Sequence, residues 1–131
     1  MKDDCIFCKI IKGEIPSYTI YEDDDFKVFL DINPITNGHA LLVPKKHYEN
    51  MFELDEKIVA KIYETAKKIY DLEKEKLDIE GFTLIQNNGH GQDVKHYHLH
   101  LIPRYSYDDV KYNSNKKQLV DAENVFNQIK E

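Results

Sequence analysis

The stretch HYHLHLIPR, residues 96–104, places three of the chain's six histidines at strict two-residue spacing. This alternation predicts a β-strand, on which residues two apart share one face and lie about 6.6 Å apart. His96, His98 and His100 then share one face, and the outer two lie about 13 Å apart along the strand. Zinc needs nitrogen ligands at about 2.0 to 2.1 Å, so one ion cannot bind all three rings. At least one of these histidines must have another role.

Further strands are predicted on the N-terminal side of this stretch. Residues 18–22 and 26–31 are rich in β-branched and aromatic side chains and flank an acidic run, which indicates a hairpin with a solvated turn. The segments 39–44 and 82–86 are short and apolar, and they predict two more strands. The short connection from residue 86 to the histidine strand favours antiparallel neighbours.

Three segments predict helices. Residues 4–12 have an apolar face and end at Gly13, which predicts a short helical turn. Apolar residues from 55 to 77 recur at the spacing of an amphipathic helix, and a weaker pattern of this kind covers residues 116–130. Antiparallel strands with one long helix across a face predict an α+β domain, and the 131 residues match one domain.

Composition excludes several classes of protein. The formal net charge is −6, from 18 basic and 24 acidic residues, so no overall positive field attracts nucleic acid and none is expected as a partner. No apolar run approaches the roughly 18 residues that cross a bilayer, and the N-terminus lacks the apolar core of a signal peptide. We therefore expect a cytoplasmic protein with no membrane partner.

The only two cysteines, Cys5 and Cys8, form a CxxC motif. In a reducing cytosol this spacing favours a metal site over a structural disulfide. A redox pair of the thioredoxin type has the same spacing but follows a strand, and no strand is predicted before Cys5. Two thiolates and two imidazoles complete a closed tetrahedral zinc site, and the most economical set adds His47 and His96.

His98 and His100 are then free for chemistry. A neutral imidazole nitrogen can attack phosphorus when the other ring nitrogen donates to a carbonyl or carboxylate that fixes the tautomer. A second histidine two residues on can donate to the same phosphate as charge develops. Asn87, Gln92 and the backbone N–H groups of the glycine-rich loop before the strand can hold phosphate oxygens without adding charge.

The motif HYHLHLI resembles the His-φ-His-φ-His-φ-φ signature of the histidine-triad (HIT) family, where φ is hydrophobic. The resemblance extends through CIFCKIIKGEIPSYTIYEDD, FKVFLDINPITNGHALLVPKKH, FTLIQNNG and GQDVKHYHLHLIPRY, which together cover most of residues 5–105. Within the family the chain is similar to the bacterial Hint-like branch. This resemblance implies a five-stranded antiparallel sheet, a homodimer that joins two sheets into ten continuous strands, and hydrolysis or transfer at the α-phosphate of nucleotides.

The resemblance also implies roles for individual residues. His98 matches the nucleophile that becomes nucleotidylated, and His100 matches the partner that contacts the α-phosphate. His39 matches a histidine that supports the triad from the next strand. Asp31 matches the carboxylate that accepts the ribose hydroxyls, with Ile32 beside the base. The zinc set has a counterpart in some relatives, which place zinc on CxxC, a later histidine and the first histidine of the motif.

A phosphate-binding loop is implied at Asn87, Gly91, Gln92 and Asp93. Relatives usually place Ser or Thr where this chain has Asp93. A carboxylate beside an expected phosphate is repelled unless its side chain turns outward or takes up a proton.

The predicted function is therefore a zinc-stabilised homodimeric hydrolase of purine nucleotides, with adenosine or guanosine as the nucleoside. Its substrate class would be nucleoside phosphoramidates, aminoacyl adenylates or dinucleoside polyphosphates. Two alternatives stay open. One is a nucleotide sensor or adaptor with little turnover, and the other is a metal-assisted hydrolase with catalytic zinc on the triad itself.

Overall fold

A computed structural model describes residues 2–115 and 118–131, and its described part contains one five-stranded antiparallel sheet in the order β1-β2-β3-β5-β4. The strands are β1 (Thr19–Glu22), β2 (Phe26–Leu30), β3 (Ala40–Pro44), β4 (Gly81–Ile85) and β5 (Leu99–Arg104). The helices are α1 (Ile6–Ile11), α2 (Glu56–Leu77) and α3 (Ala122–Lys130), with one 3-10 turn at Met51–Glu53. The predicted α+β class and the five-stranded sheet are confirmed.

The turn between β1 and β2 explains the acidic run in the sequence. The Oδ1 atom of Asp23 accepts hydrogen bonds from the backbone N–H groups of Asp25 and Phe26, each at 2.8 Å. Short acidic side chains often close turns in this way because they bond to backbone two or three residues on. The run is a hairpin turn, as its composition indicates.

Helix α2 has defined signals at both ends. The Asp55 side chain accepts a hydrogen bond from the backbone N–H of Ile58 at 2.9 Å, which caps the first turn. The helix ends at Leu77, and the C-cap Asp78 adopts a left-handed conformation with φ of 56°. Between these ends the buried positions Ile62, Ala66 and Ile69 follow the predicted three-and-four spacing.

The sheet is covered on both faces. Helix α2 packs on one face, against apolar side chains that include Phe26, Val28, Leu42, Leu99 and Leu101. The short helix α1 covers the other face, in a cluster that includes Phe7, Cys8, Ile10, Phe29, Leu41 and Val43. His100 pairs with Leu41 in the β3-β5 register, so the His100 side chain lies on the α1 face.

The histidine strand is shorter than predicted. Strand β5 begins at Leu99, so His96 and His98 precede it, although the alternation predicts all three histidines on the strand. The reason is Pro44, which ends β3 and has no N–H to extend the ladder. Its carbonyl accepts a hydrogen bond from the His96 ring at 2.8 Å instead.

The C-terminal helix is also shorter than predicted. Helix α3 begins at Ala122, where Asp121 caps it by accepting a hydrogen bond from the N–H of Asn124 at 3.1 Å. The predicted start at residue 116 lies outside the described residues. Leu119 and Val120, which contributed to the predicted helical pattern, are exposed and precede the helix. The capping residue, rather than the apolar periodicity, sets where this helix begins.

None of the helices described within residues 2–115 and 118–131 combines the length and the apolar composition that a membrane span requires.

Gly38 sets the close approach between the loop before β3 and the end of α2. Its φ is +91°, and an added Cβ would lie 2.6 Å from the Cδ1 of Leu77 and 2.8 Å from the Oε2 of Glu73. Glu73 is itself buried, which raises the pKa of its carboxyl to about 7. A side chain at residue 38 therefore meets both backbone strain and a packed surface.

We expect Gly38→Ala to lower the free energy of unfolding by about 2 kcal/mol or more. Gly13→Ala is the matched control, because Gly13 also has a positive φ of +83° but no atom lies within 4 Å of an added Cβ. The free energy of unfolding of that control should fall by about 1 kcal/mol, from backbone strain alone. Urea unfolding of both variants measures the difference, and equal losses would show that the contact with α2 is unimportant.

Candidate active site and metal site

An open pocket of about 530 Å³ lies on the α1 face of the sheet, within the usual size range of small-molecule sites. Its walls combine α1, the segment before β1, the end of β2 and the histidine stretch. The lining residues with polar or charged side-chain groups are Ser17, Tyr18, Asp31, Asn33, Asp93, His98 and His100. Its remaining lining is mostly apolar, with Ile6, Phe7, Ile10, Phe29 and Leu41.

The hydrogen bonds of His98 define its tautomer. Its Nδ1 lies 2.8 Å from the carbonyl oxygen of His96. A carbonyl can only accept, so Nδ1 carries the proton and the Nε2 of the neutral ring has a free lone pair. That Nε2 lies 3.6 Å from the Oδ1 of Asp93 on the pocket wall. His98 therefore has the arrangement that the sequence analysis required of a nucleophile.

A chain of hydrogen bonds defines the proton on His100. The backbone N–H of Ile35 donates to the Nδ1 of His39 at 3.0 Å, so the proton of the neutral His39 ring is on Nε2. This Nε2 lies 2.9 Å from the Nδ1 of His100, which therefore accepts. The Nε2 of neutral His100 must then carry a proton and can donate to a ligand in the pocket.

Burial keeps this histidine pair neutral. Desolvation lowers the pKa of His39, an effect that the nearby Asp31 carboxylate opposes. Desolvation, with His98 and His39 acting in the same direction, lowers the pKa of His100 to about 4. Both rings are therefore neutral near pH 7, as the hydrogen-bond directions require.

Asp31 and Ile32 follow β2 at the edge of the pocket. The Asp31 carboxylate accepts a hydrogen bond from the N–H of Asn33 at 2.9 Å and lies 3.6 Å from the Nε2 of His39. Its backbone N–H donates to the His39 carbonyl at 2.9 Å, which joins this loop to β3. Ile32 is 80% exposed, so it lies at the pocket mouth with its apolar surface available to a ligand.

Gln92 has a different role from the one that its amide indicated. Its Nε2 donates to the carbonyls of Glu49 at 2.6 Å and Val94 at 2.9 Å. Its Oε1 accepts from the N–H of Gly89 at 3.1 Å. The buried side chain therefore holds the loop in shape, and its amide hydrogens are not available to a phosphate.

The other residues of the predicted phosphate loop divide between pocket and surface. Asn87 and Gly91 are exposed and adjacent, since a Cβ added at Gly91 would lie 3.8 Å from the Oδ1 of Asn87. Of the described residues, neither of these two nor Gln92 lines the pocket, whereas Asp93 does. Asp93 is 80% exposed, and its Oδ1 accepts from the N–H of Val94 at 2.9 Å.

Phe7 is the main pocket residue that the sequence analysis missed. Its ring packs edge-on against the His98 ring, with centroids 5.0 Å apart and planes at 85°. The predicted zinc site could have indicated that Phe7 lies in the pocket. Phe7 lies between Cys5 and Cys8, so a cluster of these cysteines with His96 brings it beside His98.

The structure brings together the four side chains that the sequence analysis grouped as zinc ligands. One donor atom each from Cys5, Cys8, His47 and His96 lies within 4.8 Å of all the others. The Cys8 Sγ is 3.3 Å from the Nδ1 of His47 and 3.5 Å from the Nδ1 of His96. In tetrahedral coordination by zinc, sulfur and nitrogen ligands lie about 3.6 Å apart, so the cluster has the dimensions of such a site.

The tautomer of His96 fits metal binding. Its Nε2 donates to the Pro44 carbonyl, which leaves the Nδ1 lone pair directed toward the thiols, 3.4 Å from the Cys5 Sγ. Burial lowers the pKa of His96 to about 4, lowers that of His47 and raises that of the Cys5 thiol. Neutral imidazoles are ready to ligate, and a metal ion would displace the thiol protons.

A second group of potential ligands, Asp31, His39 and His100, also lies within 4.8 Å. Its contacts are explained by hydrogen bonds. The Nε2 of His39 carries a proton that it donates to His100, and a protonated nitrogen is not a ligand. The alternative of catalytic zinc on the triad would require this chain of hydrogen bonds to break.

Comparison with known proteins identifies the class of protein to which this fold and site belong. The HIT domain family model matches residues 12–107. An uncharacterized HIT-like protein of Methanocaldococcus jannaschii is 44% identical over 128 residues, which span 96% of this chain and 98% of that protein. The chain belongs to the HIT family, as the triad motif predicted.

Three further relatives bear on the site. A Bacillus subtilis protein named "Protein hit" is 42% identical over 82% of this chain and 75% of its own length. An adenosine 5'-monophosphoramidase of Candida albicans is 41% identical over 76% of this chain and 70% of its own length. A zinc-bound histidine triad protein from Mycobacterium smegmatis has a solved structure with a TM-score of 0.79 and 34% identity, covering 86% of this chain and 83% of its own.

We expect Cys8→Ser to reduce bound zinc from roughly one ion per chain to almost none, because a neutral hydroxyl replaces a buried thiolate ligand. His98→Ala is the control, since His98 belongs to the pocket and should leave the zinc content unchanged. Elemental analysis after growth with zinc measures both. Chelation should also lower the melting temperature of the wild type, and equal zinc content in the two variants would contradict the assignment.

Proposed function

We propose that the protein is a nucleotide hydrolase that acts at the α-phosphate of purine nucleotides through a covalent nucleotidyl-His98 intermediate. The observation that carries this proposal is the free Nε2 lone pair of His98, which the hydrogen bond from Nδ1 to the His96 carbonyl directs into the pocket. Membership of a family that includes named phosphoramidases supports hydrolysis of nucleotides.

The pocket offers separate surfaces for the parts of a nucleotide. Asp31 lies where its carboxylate can accept hydrogen bonds from both ribose hydroxyls. The exposed apolar side chain of Ile32, beside Asp31 at the pocket mouth, provides a surface for the base. The α-phosphate then lies between the Nε2 atoms of His98 and His100. This binding mode suits adenosine or guanosine.

The chemistry takes place in two balanced steps. The His98 Nε2 lone pair forms a bond to phosphorus while the bond to the leaving group breaks, and the leaving group takes a proton from solvent. Water then attacks phosphorus, His98 departs with the electron pair of the P–N bond, and the water proton returns to solvent. The Nε2–H of His100 donates to a phosphate oxygen as charge shifts in each step.

Zinc has a structural role in this proposal. Cys5, Cys8, His47 and His96 would hold it as a closed site with no open position for substrate. The ion would join the N-terminal segment to the end of β3 and to the histidine stretch. Because the His96 carbonyl also accepts from His98, the same residue would connect the metal site with the nucleophile.

We further propose a homodimer in which two sheets join through β4. This strand lies at one edge of the sheet, where its backbone groups can pair with a second copy. Beside it, a shallow depression of about 410 Å³ is lined by apolar and aromatic side chains of α2 and β4, including Tyr63, Tyr70, Phe82 and Leu84. Tyr63 is 57% exposed and Leu84 is 38% exposed in the single chain. An antiparallel β4-β4 contact would cover this surface.

We expect Leu84→Asp to convert the dimer to a monomer, because the introduced charge would be buried at the β4-β4 contact. Ile129→Asp on α3 is the control, since Ile129 is also an exposed apolar residue but lies on another element. Light scattering coupled to size exclusion measures the mass of each variant. A wild type that is monomeric, or a dimer that survives Leu84→Asp, would contradict the proposed contact.

We expect His98→Ala to lower turnover of an adenosine phosphoramidate by at least about a thousandfold, because no lone pair remains to attack phosphorus. Trapping of adenylylated protein after rapid acid quench should be lost as well. His90→Ala is the histidine control, because His90 is exposed and lies outside the pocket lining. Unchanged turnover and trapping in His98→Ala would overturn the mechanism.

The same assay tests the alternative of a sensor or adaptor protein. Such a protein would bind nucleoside monophosphate in the same pocket yet turn over substrate no faster than the uncatalysed rate. Binding by calorimetry combined with single-turnover kinetics separates the two, because covalent trapping on His98 requires a competent nucleophile.

A further inference from the structure

The pocket is negatively charged although its proposed ligand is an anion. Of the described residues that line it, Asp31 and Asp93 carry formal charge, while lysine and arginine do not occur. With His100 neutral and His98 in the neutral form that the proposed nucleophile requires, the lining contributes a formal charge of −2. Any second negative charge on a substrate therefore meets repulsion that no cation of the lining offsets.

The two carboxylates lie beside different histidines of the site. Asp31 lies beside His39, 3.6 Å from its Nε2, on the side proposed for the ribose. Asp93 lies 3.6 Å from the Nε2 of His98, the atom that attacks phosphorus. With the nucleoside on the Asp31 side, the outer part of the leaving group would occupy the part of the pocket that Asp93 lines, while the atom that breaks from phosphorus points away from the His98 Nε2.

Asp93 also lies on the rim that separates the pocket from a neighbouring depression. That depression is lined by Asp93 and Val94 together with Lys2, Asp4, Cys5, Ile6, His47, Glu49 and Lys95. The Lys95 ammonium donates to the backbone carbonyls of Gly89 and Gln92, at 3.4 and 3.2 Å, on the outer side of the loop. Asp93 is therefore the charged residue that the pocket shares with this depression.

We propose that Asp93 selects substrates by the charge of the leaving group, favouring fragments that carry an ammonium group and disfavouring those that carry a carboxylate or further phosphates. This inference rests on the proposed function and names its substrate class as nucleoside phosphoramidates of cationic amines. The physical basis is Coulomb interaction in a partly solvated site, where one charge changes a rate by roughly several-fold to a hundredfold.

The test uses three adenosine phosphoramidates whose leaving groups are primary alkyl amines of matched length, ending in an ammonium, a carboxamide or a carboxylate. The P–N bond broken is of the same kind in each, so the comparison isolates charge. The wild type should show the highest kcat/KM for the ammonium compound and the lowest for the carboxylate compound. Added salt should reduce this preference, because exposed charges are screened.

Asp93→Asn removes the charge and keeps the shape of the side chain, and its Oδ1 can still accept from the N–H of Val94. We expect it to raise kcat/KM for the carboxylate compound by about tenfold and to lower it for the ammonium compound by a similar factor. The carboxamide compound reports the effect of Asp93 on the α-phosphate that all three compounds share, so the ammonium-to-carboxylate ratio isolates the effect on the leaving group. Asp24→Asn on the exposed β1-β2 turn is the control for net charge, and its ratios should equal those of the wild type.

Two outcomes separate this inference from the proposed function. If the wild type turns over all three compounds through trapped His98 but Asp93→Asn leaves the ammonium-to-carboxylate ratio within threefold of the wild type, the selectivity role of Asp93 is wrong and the hydrolase stands. If the wild type forms no covalent adduct and His98→Ala loses no activity, the proposed function itself fails.

Discussion

The hydrogen bond from the Nδ1 of His98 to the carbonyl of His96 is the interaction on which the site depends. It determines which nitrogen of His98 faces the pocket. The same His96 directs its own Nδ1 toward the two cysteines, and its Nε2 donates to Pro44. One residue thus belongs to the candidate metal site through its ring and to the candidate active site through its backbone. Any change in the cysteine cluster that moves His96 also moves the acceptor of His98.

A backbone group likewise sets the proton on His100. The N–H of Ile35 makes the Nδ1 of His39 an acceptor, and the proton that remains on His39 makes His100 a donor toward the pocket. Backbone groups do not titrate, so they hold the His39 and His100 tautomers wherever both rings are neutral. The pocket consequently presents a lone pair on His98 and an N–H on His100, which in the proposed mechanism face the same phosphate. Burial supports this division of roles because it keeps the His39 and His100 rings neutral.

Helix α1 connects the two sites physically. Cys5 caps its first turn through a hydrogen bond from the N–H of Cys8, and Phe7 between them covers the His98 ring. Six residues are too few for an isolated helix to be stable in water. Packing against the sheet, and in our proposal zinc, must stabilise it. Disruption of the cysteine cluster would therefore also disturb the pocket wall that α1 forms.

The sequence by itself determined the α+β class, the long helix and the grouping of Cys5, Cys8, His47 and His96, because periodicity and ligand chemistry are local or compositional signals. Tertiary structure decided what depends on contacts distant in sequence. Pro44 ends the ladder before His98, so β5 is shorter than the alternation predicts. Tertiary structure also turns the Gln92 amide inward and brings Phe7 to His98, because both depend on partners more than 40 residues away.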